Sequence, residues 1–297
     1  MKGLIAFNRK ETCIIPVIEK YLTIKFKFTG LVIALFIIIF SMFSFSKTVF
    51  AGKVSSDNQR IDVGASYYFL EPHGIYGSWY IGTVKYYNNS IKKFNYFIEA
   101  DGFSRTIEGK GLLGTIGAYT IWTPWLYTYS DISSGTNYLY LPEFRADNNF
   151  NFKLGKNKNI VWEIGGSYIK YNDNNLNLIA STGLTYYYKR WIASYRLFRV
   201  ISDPGNVVSW SHLYSIGYGK RYWERTYLNV TTGNEAYLTT YLPVRYQSAV
   251  NYNALNIEIR QRIWLKKDFG IIGKLDYFIL QGNYRAYGIS IGIFKNF

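Results

Sequence analysis

The chain is 297 residues long, with 34 Lys+Arg against 19 Asp+Glu, a formal net charge of +15. Aromatic residues make up 20 % of it, charged residues only 18 %, and there is one Cys. That aromatic load excludes a disordered chain, and a lone cysteine excludes a disulfide scaffold or a Cys-ligated metal centre.

The first fifty residues do not read like the rest. Lys20, Lys25 and Lys27 precede the apolar run GLVIALFIIIFSMFSF, and Val49-Phe50-Ala51 follows. A basic region, an apolar core and an AxA-like site in that order predict a cleavable signal peptide over 1–51 and a mature domain over 52–297. An uncleaved anchor is the alternative, since the run approaches spanning length. Cleavage would remove Lys2, Arg9, Lys10, Lys20, Lys25, Lys27 and Lys47 with Glu11 and Glu19, so +15 − 5 leaves +10. Cys13, the sole thiol, would leave with the leader.

Beyond Ala51 the dominant signal is alternation with a period of two, the mark of a sheet with unlike faces. Ile61, Val63, Ala65, Tyr67 and Phe69 alternate with Asp62, Gly64, Ser66 and Tyr68. Leu255, Ile257, Ile259, Ile263 and Leu265 alternate with Asn256, Glu258, Arg260 and Arg262. At the C-terminus Tyr287, Ile289, Ile291 and Ile293 alternate with small residues, and the chain stops at Phe297. Turn chemistry separates such runs at Asn88-Asn89-Ser90, Glu71-Pro72-His73-Gly74, Gly155 to Lys158, Asn172 to Asn175, Asp203-Pro204-Gly205, Lys266-Lys267-Asp268 and Gly282-Asn283,. The pattern predicts strands near 60–70, 75–87, 92–105, 110–121, 124–133, 141–153, 160–171, 175–187, 190–201, 206–219, 221–232, 249–265, 269–281 and 285–297. The expected fold class is therefore all-β: one antiparallel transmembrane barrel of about fourteen strands, give or take two.

Charges recur at alternate mid-strand positions. Glu99, Asp101, Glu143, Arg145, Asp147, Glu163, Arg196, Glu258, Arg260, Arg262, Lys274 and Asp276 are the candidate lumen charges. A soluble barrel turns its apolar face inward and a membrane barrel turns it to lipid; the alternation by itself does not say which. Tyr and Trp crowd the strand ends (Tyr86-Tyr87, Trp122, Trp125, Tyr186 to Tyr188, Trp191, Tyr218), as interfacial girdles require,. With the leader and the terminal aromatic, they favour the outer membrane of a Gram-negative-type envelope.

Three stretches carry a family resemblance: Tyr138 to Asp147 (YLYLPEFRAD), Gly219 to Arg225 (GKRYWER) with Gly233-Asn234-Glu235, and the closing strand from Tyr284-Arg285 to Phe297. The chain resembles the YaiO-type outer-membrane β-barrel family over most of 60–297, and is similar to the barrel part of exopolysaccharide-secretion porins. The resemblance implies a pore or an accessory for passage of a polar or sugar-rich solute, with polysaccharide-export partners. The sequence shows no tetratricopeptide period, so for export such repeats would come from a partner or be unnecessary. It carries over no catalytic residue and no cofactor.

The lumen charges admit a structural role, holding strands together by pairing, or a pore role guiding an acidic or sugar-rich solute. A closed anchoring barrel is the alternative to a pore. A lipid-modifying enzyme is the third reading, and it fares worst. Of the two histidines, His73 falls in a turn, and in an alternating strand Ser209 and Ser211 face away from His212, so a dyad would need a Ser from another strand,. The glycine-rich EGKGLLGTIG from Glu108 to Gly117 lacks a Walker lysine and a following helix,. Expected partners are outer-membrane lipid and lipopolysaccharide, and the barrel-insertion machinery through Phe297; nucleic acid is not expected.

Overall fold

The computed structural model describes residues 58–136, 140–172, 175–220, 224–234 and 253–297. The expected leader over 1–51 lies outside the described residues. The strands are β1 (Gln59–Glu71), β2 (Ser78–Ile91), β3 (Phe94–Arg105), β4 (Gly109–Ile121), β5 (Leu126–Gly135), β6 (Pro142–Leu154) and β7 (Ile160–Tyr171). They continue as β8 (Leu176–Tyr188), β9 (Trp191–Asp203), β10 (Val207–Lys220), β11 (Glu224–Asn234), β12 (Asn253–Trp264), β13 (Phe269–Leu280) and β14 (Tyr284–Asn296). Each pairs antiparallel with its sequence neighbours, and β1 pairs with β14 to close the barrel. At 10 to 14 residues the strands are long enough for a tilted membrane crossing, which takes about 9–11,.

Closure follows from the alternation. Residues opposite each other across a ladder share a face, and the β1/β14 register puts Val63 against Ile293, Ala65 against Ile291 and Tyr67 against Ile289. Apolar side chains thus run outward without a break. Val84, Ile98, Leu112, Ile116, Ile132, Leu178, Leu184 and Ile216 are all exposed, and Ile291 is 70 % exposed. The alternate positions face inward, where Glu99, Asp101, Asp147, Glu258 and Asp276 are buried. An apolar belt of this extent outside a charged interior is untenable in water and is what lipid requires.

Two local departures have identifiable causes. The Asn88-Asn89-Ser90 segment, expected as a turn, stays in β2. The register shifts between Asn88 and Ile91, and the Ser90 N–H donates to Asn88 Oδ1 at 2.9 Å. That local bond absorbs the irregularity and passes the reversal to Lys92-Lys93. The strand expected from about 75 begins instead at Ser78, because a single helical turn, α1 (His73–Tyr76), precedes it. Gly77 ends that turn at φ 64, in the left-handed region that glycine tolerates,.

The wall uses glycine to lay rings flat. Tyr68 stands opposite Gly288, Phe97 opposite Gly117, Tyr227 opposite Gly217 and Phe294 opposite Gly270. A methyl group at any of these glycines would meet the facing ring at 2.3 to 2.6 Å. Each ring therefore covers bare backbone on the next strand instead of reaching across the lumen.

Gln59, at the start of β1, and the terminal Phe297 lie together and exchange backbone hydrogen bonds at 3.1 and 3.0 Å. This end carries the connections after the even-numbered strands, and is called here the turn end. The odd-numbered strands end at the far end, where β11 stops at Asn234 and β12 starts at Asn253. In outer-membrane barrels the short turns face the periplasm. An outward girdle sits at the turn end: Trp125 and Trp162 flank Phe152, with centroids at 6.2 and 5.5 Å, and Trp191 packs on Tyr218 at 4.7 Å.

Candidate functional site

The candidate site is the lumen, and the register decides who lines it. Glu99 and Asp101 on β3, Arg145 and Asp147 on β6, Glu163 on β7 and Arg196 on β9 point inward. So do Glu258, Arg260 and Arg262 on β12, with Lys274 and Asp276 on β13. Their cross-strand partners are themselves inward residues such as Lys85, Thr83, Asp131, Ser167 and Asn229.

The lumen charges form two networks. On the β11-to-β3 side, Lys274 lies 3.0 Å from Asp276 and 3.8 Å from Glu258. The Tyr68 hydroxyl donates to Asp276, and Lys274 Nζ donates to Tyr68, both at 3.1 Å. Asn229 Nδ2 donates to Glu258 at 2.8 Å. Asp62 joins Arg60 at 2.7 Å and Arg262 at 3.5 Å, while Lys85 joins Glu99 at 2.6 Å. Thr83 donates to Asp101 at 2.6 Å. On the β5-to-β9 side, Arg145 and Ser167 both donate to Asp147, and Arg196 pairs with Glu163. Buried carboxylates are tolerated only with such compensation.

One expected lumen charge lies elsewhere. Glu143 shares odd parity with Arg145 and Asp147, yet it is half exposed and pairs at 2.7 Å with Lys170, an outward residue of β7. The register of β6 against β7 shifts between Pro142 and Phe144. That extra residue reverses the face of everything before it, which period-two reasoning does not anticipate. Arg260 keeps its lumen parity but is exposed, with its guanidinium 5.4 Å above Tyr227. Arg60, Asp62, Lys85 and Asp131 are further charges with the parity of the candidate set, and parity is the signal that marks them. Arg105, at the last position of its strand, shares the parity of Glu99 and Asp101.

The lumen is filled differently along its length. Between β7 and β12 a cavity of about 170 Å³ is lined by Glu163, Arg196, Ser215, Asn229, Asn256 and Glu258, among others. It is roomy and polar enough to hold water. At the far end, a buried apolar cluster spans β12 round through β1 to β4: Leu70, Trp79, Phe103, Phe278, Leu280 and Tyr284, with Tyr140 and Leu141 from the β5–β6 connection. Arg105 sits inside it with its side chain 0 % exposed, 3.5 Å from Glu108. Its guanidinium lies 4.1 Å from the Trp79 ring centre and 4.0 Å from that of Tyr140. The connection is held down as well. The Tyr140 hydroxyl donates to the Gly109 carbonyl, and Asn172 Nδ2 to the carbonyls of Thr136 and Leu141, all at 3.2 Å.

The two histidines lie outside the lumen networks. His212 faces outward on β10, with Nδ1 2.9 Å from the Tyr195 hydroxyl, while Ser209 and Ser211 face inward and are buried. His73 Nε2 is 3.2 Å from Ser78 Oγ. Among the described residues no group of three or more His, Cys, Asp or Glu side chains is arranged to hold a metal.

A closed fourteen-strand antiparallel barrel with lipid-compatible walls and a charged, polar lumen is an outer-membrane β-barrel of porin-like build. The chain matches the family described as the YaiO membrane β-barrel domain over residues 58–238 and belongs to that family. No curated protein matches it. Among solved structures it is similar to the CymD monoaromatic hydrocarbon channel, with a TM-score of 0.53, 9 % identity, and 81 % of this chain and 88 % of that one covered. It is similar also to the toluene transporter TodX of P. putida, with a TM-score of 0.51, 10 % identity, and 82 % and 91 % covered. At such identity these likenesses establish the fold alone.

Proposed function

We propose that the barrel is a passage, or an accessory to one, for a polar, sugar-rich solute crossing the outer membrane, related to exopolysaccharide export. The observation that carries this reading is the lumen wall between the two ends. Ion pairs, amides and hydroxyls alternate there with aromatic rings laid flat over glycine, the surface a hydroxylated solute would slide along. The cavity beside Glu163, Arg196 and Glu258 belongs to that wall. Arg60, Arg262 and the exposed Arg260 stand where an acidic sugar would enter from the turn end.

A second reading, a closed anchoring barrel, is favoured by the apolar packing around Arg105 at the far end. The two readings separate in planar bilayers. The purified, refolded chain, first shown to be folded by heat-modifiable gel mobility, is recorded at the single-channel level. Discrete conductance that changes in the R260Q/R262Q variant supports the passage. Folded protein silent both as wild type and with Arg105 replaced by alanine supports the closed barrel.

A further inference from the structure

We propose that the turn end is a docking surface for anionic phospholipid headgroups, formed by a ring of lysines just beyond the aromatic girdle. The net positive charge of the chain is not spread evenly over the barrel. At the turn end, Lys92, Lys93, Lys156, Lys158, Lys189, Arg190, Lys220, Lys266, Lys267 and Lys295 are all exposed, and the acidic residues beside them are Glu224 and Asp268. At the far end, Lys110, Lys170 and Arg285 are met by Glu71, Glu108, Glu143 and Asp203, and Lys170 is already paired with Glu143 at 2.7 Å. Among the described residues, one mouth is strongly basic and the other close to neutral.

Two features select a lipid annulus over a soluble acidic partner. First, the cations are distributed around the perimeter, in the β2–β3, β6–β7, β8–β9 and β12–β13 connections and at the turn-end tips of β10 and β14. A protein or polymer docking on one side would need a single patch; a ring matches a ligand that surrounds the barrel. Second, the ring lies directly beyond Trp125, Trp162, Tyr188, Trp191 and Tyr218, which are exposed on the outer wall. Such rings sit at headgroup level. Lysines one turn further out reach the phosphates while their methylene stems cover apolar surface.

The test is lipid competition on the full chain, refolded in detergent, with phosphatidylglycerol and phosphatidylcholine offered together and the retained lipid read by native mass spectrometry. The wild type should retain phosphatidylglycerol preferentially, and the preference should fall as salt is raised. The variant K156Q/K158Q/K266Q/K267Q should lose about tenfold or more of it, given the strong attraction of each juxtamembrane cation to an anionic surface. The far-end variant K110Q/K170Q should retain it. Heat-modifiable mobility confirms that each variant is folded, so a lost preference reports the surface. Equal preference in wild type and quadruple variant would overturn the proposal. So would loss of binding to a soluble uronate polymer in the quadruple variant with lipid preference intact, which would assign the ring to an acidic polymer.

Discussion

The two ends of the lumen solve the burial of charge in opposite ways. In the middle and towards the turn end, carboxylates and cations meet in networks: Lys274 reaches Asp276 and Glu258, and Asp62 joins both Arg60 and Arg262. At the far end Arg105 is held between Trp79 and Tyr140 within an apolar cluster, with Glu108 as its counter-charge. A network spreads the cost of desolvation over many partners and leaves room for water, whereas a cation between rings excludes water and depends on a few contacts. The far end should accordingly be more brittle, and more able to act as a closure.

Replacing Arg105 with alanine is the harshest way to test that contrast. It leaves Glu108 without its cation inside a cluster that has lost its central side chain, and should cost about 3–5 kcal/mol. Urea unfolding in detergent measures it, and the R105L/E108L double variant should recover much of the loss. Lys274→Met removes one hub of the opposite network. It should cost about 3 kcal/mol, because Asp276 and Glu258 then face each other uncompensated. A smaller loss than at Arg105 supports the redundancy of the network, and a larger one would reverse the comparison. Gly288→Val pushes Tyr68 off the wall and should cost about 1–3 kcal/mol, read from the same unfolding curves. Tyr68→Ala in that background should relieve the clash. Lys170→Gln, which breaks the exposed pair with Glu143, should leave the unfolding midpoint unchanged.

Much of this molecule is legible in one dimension. The strand expected over 160–171 matches β7 residue for residue, and those expected near 110–121, 190–201 and 285–297 fall within a residue or two of their places. The reason is physical: a barrel strand between lipid and a polar lumen must alternate, and its ends must turn, so both marks survive in the sequence. Parity assigns the candidate lumen charges to one face of their strands, but it does not register a bulge: the shift between Pro142 and Phe144 changes the face of Glu143 without changing composition.

The β class, most of the strand spans and, between bulges, which side chains share a face are local properties, because they depend on neighbours two residues apart. That the apolar face is the outer one emerges only with ring closure, since alternation is symmetric between inside and outside until the sheet closes. The tertiary structure alone joined β1 to β14 and set Tyr68 over Gly288, residues far apart in the chain. It brought Arg105, Trp79 and Tyr140 together at one mouth and gathered the scattered lysines into a ring at the other. Those arrangements depend on ring closure and on which connections share an end, and no local pattern encodes either.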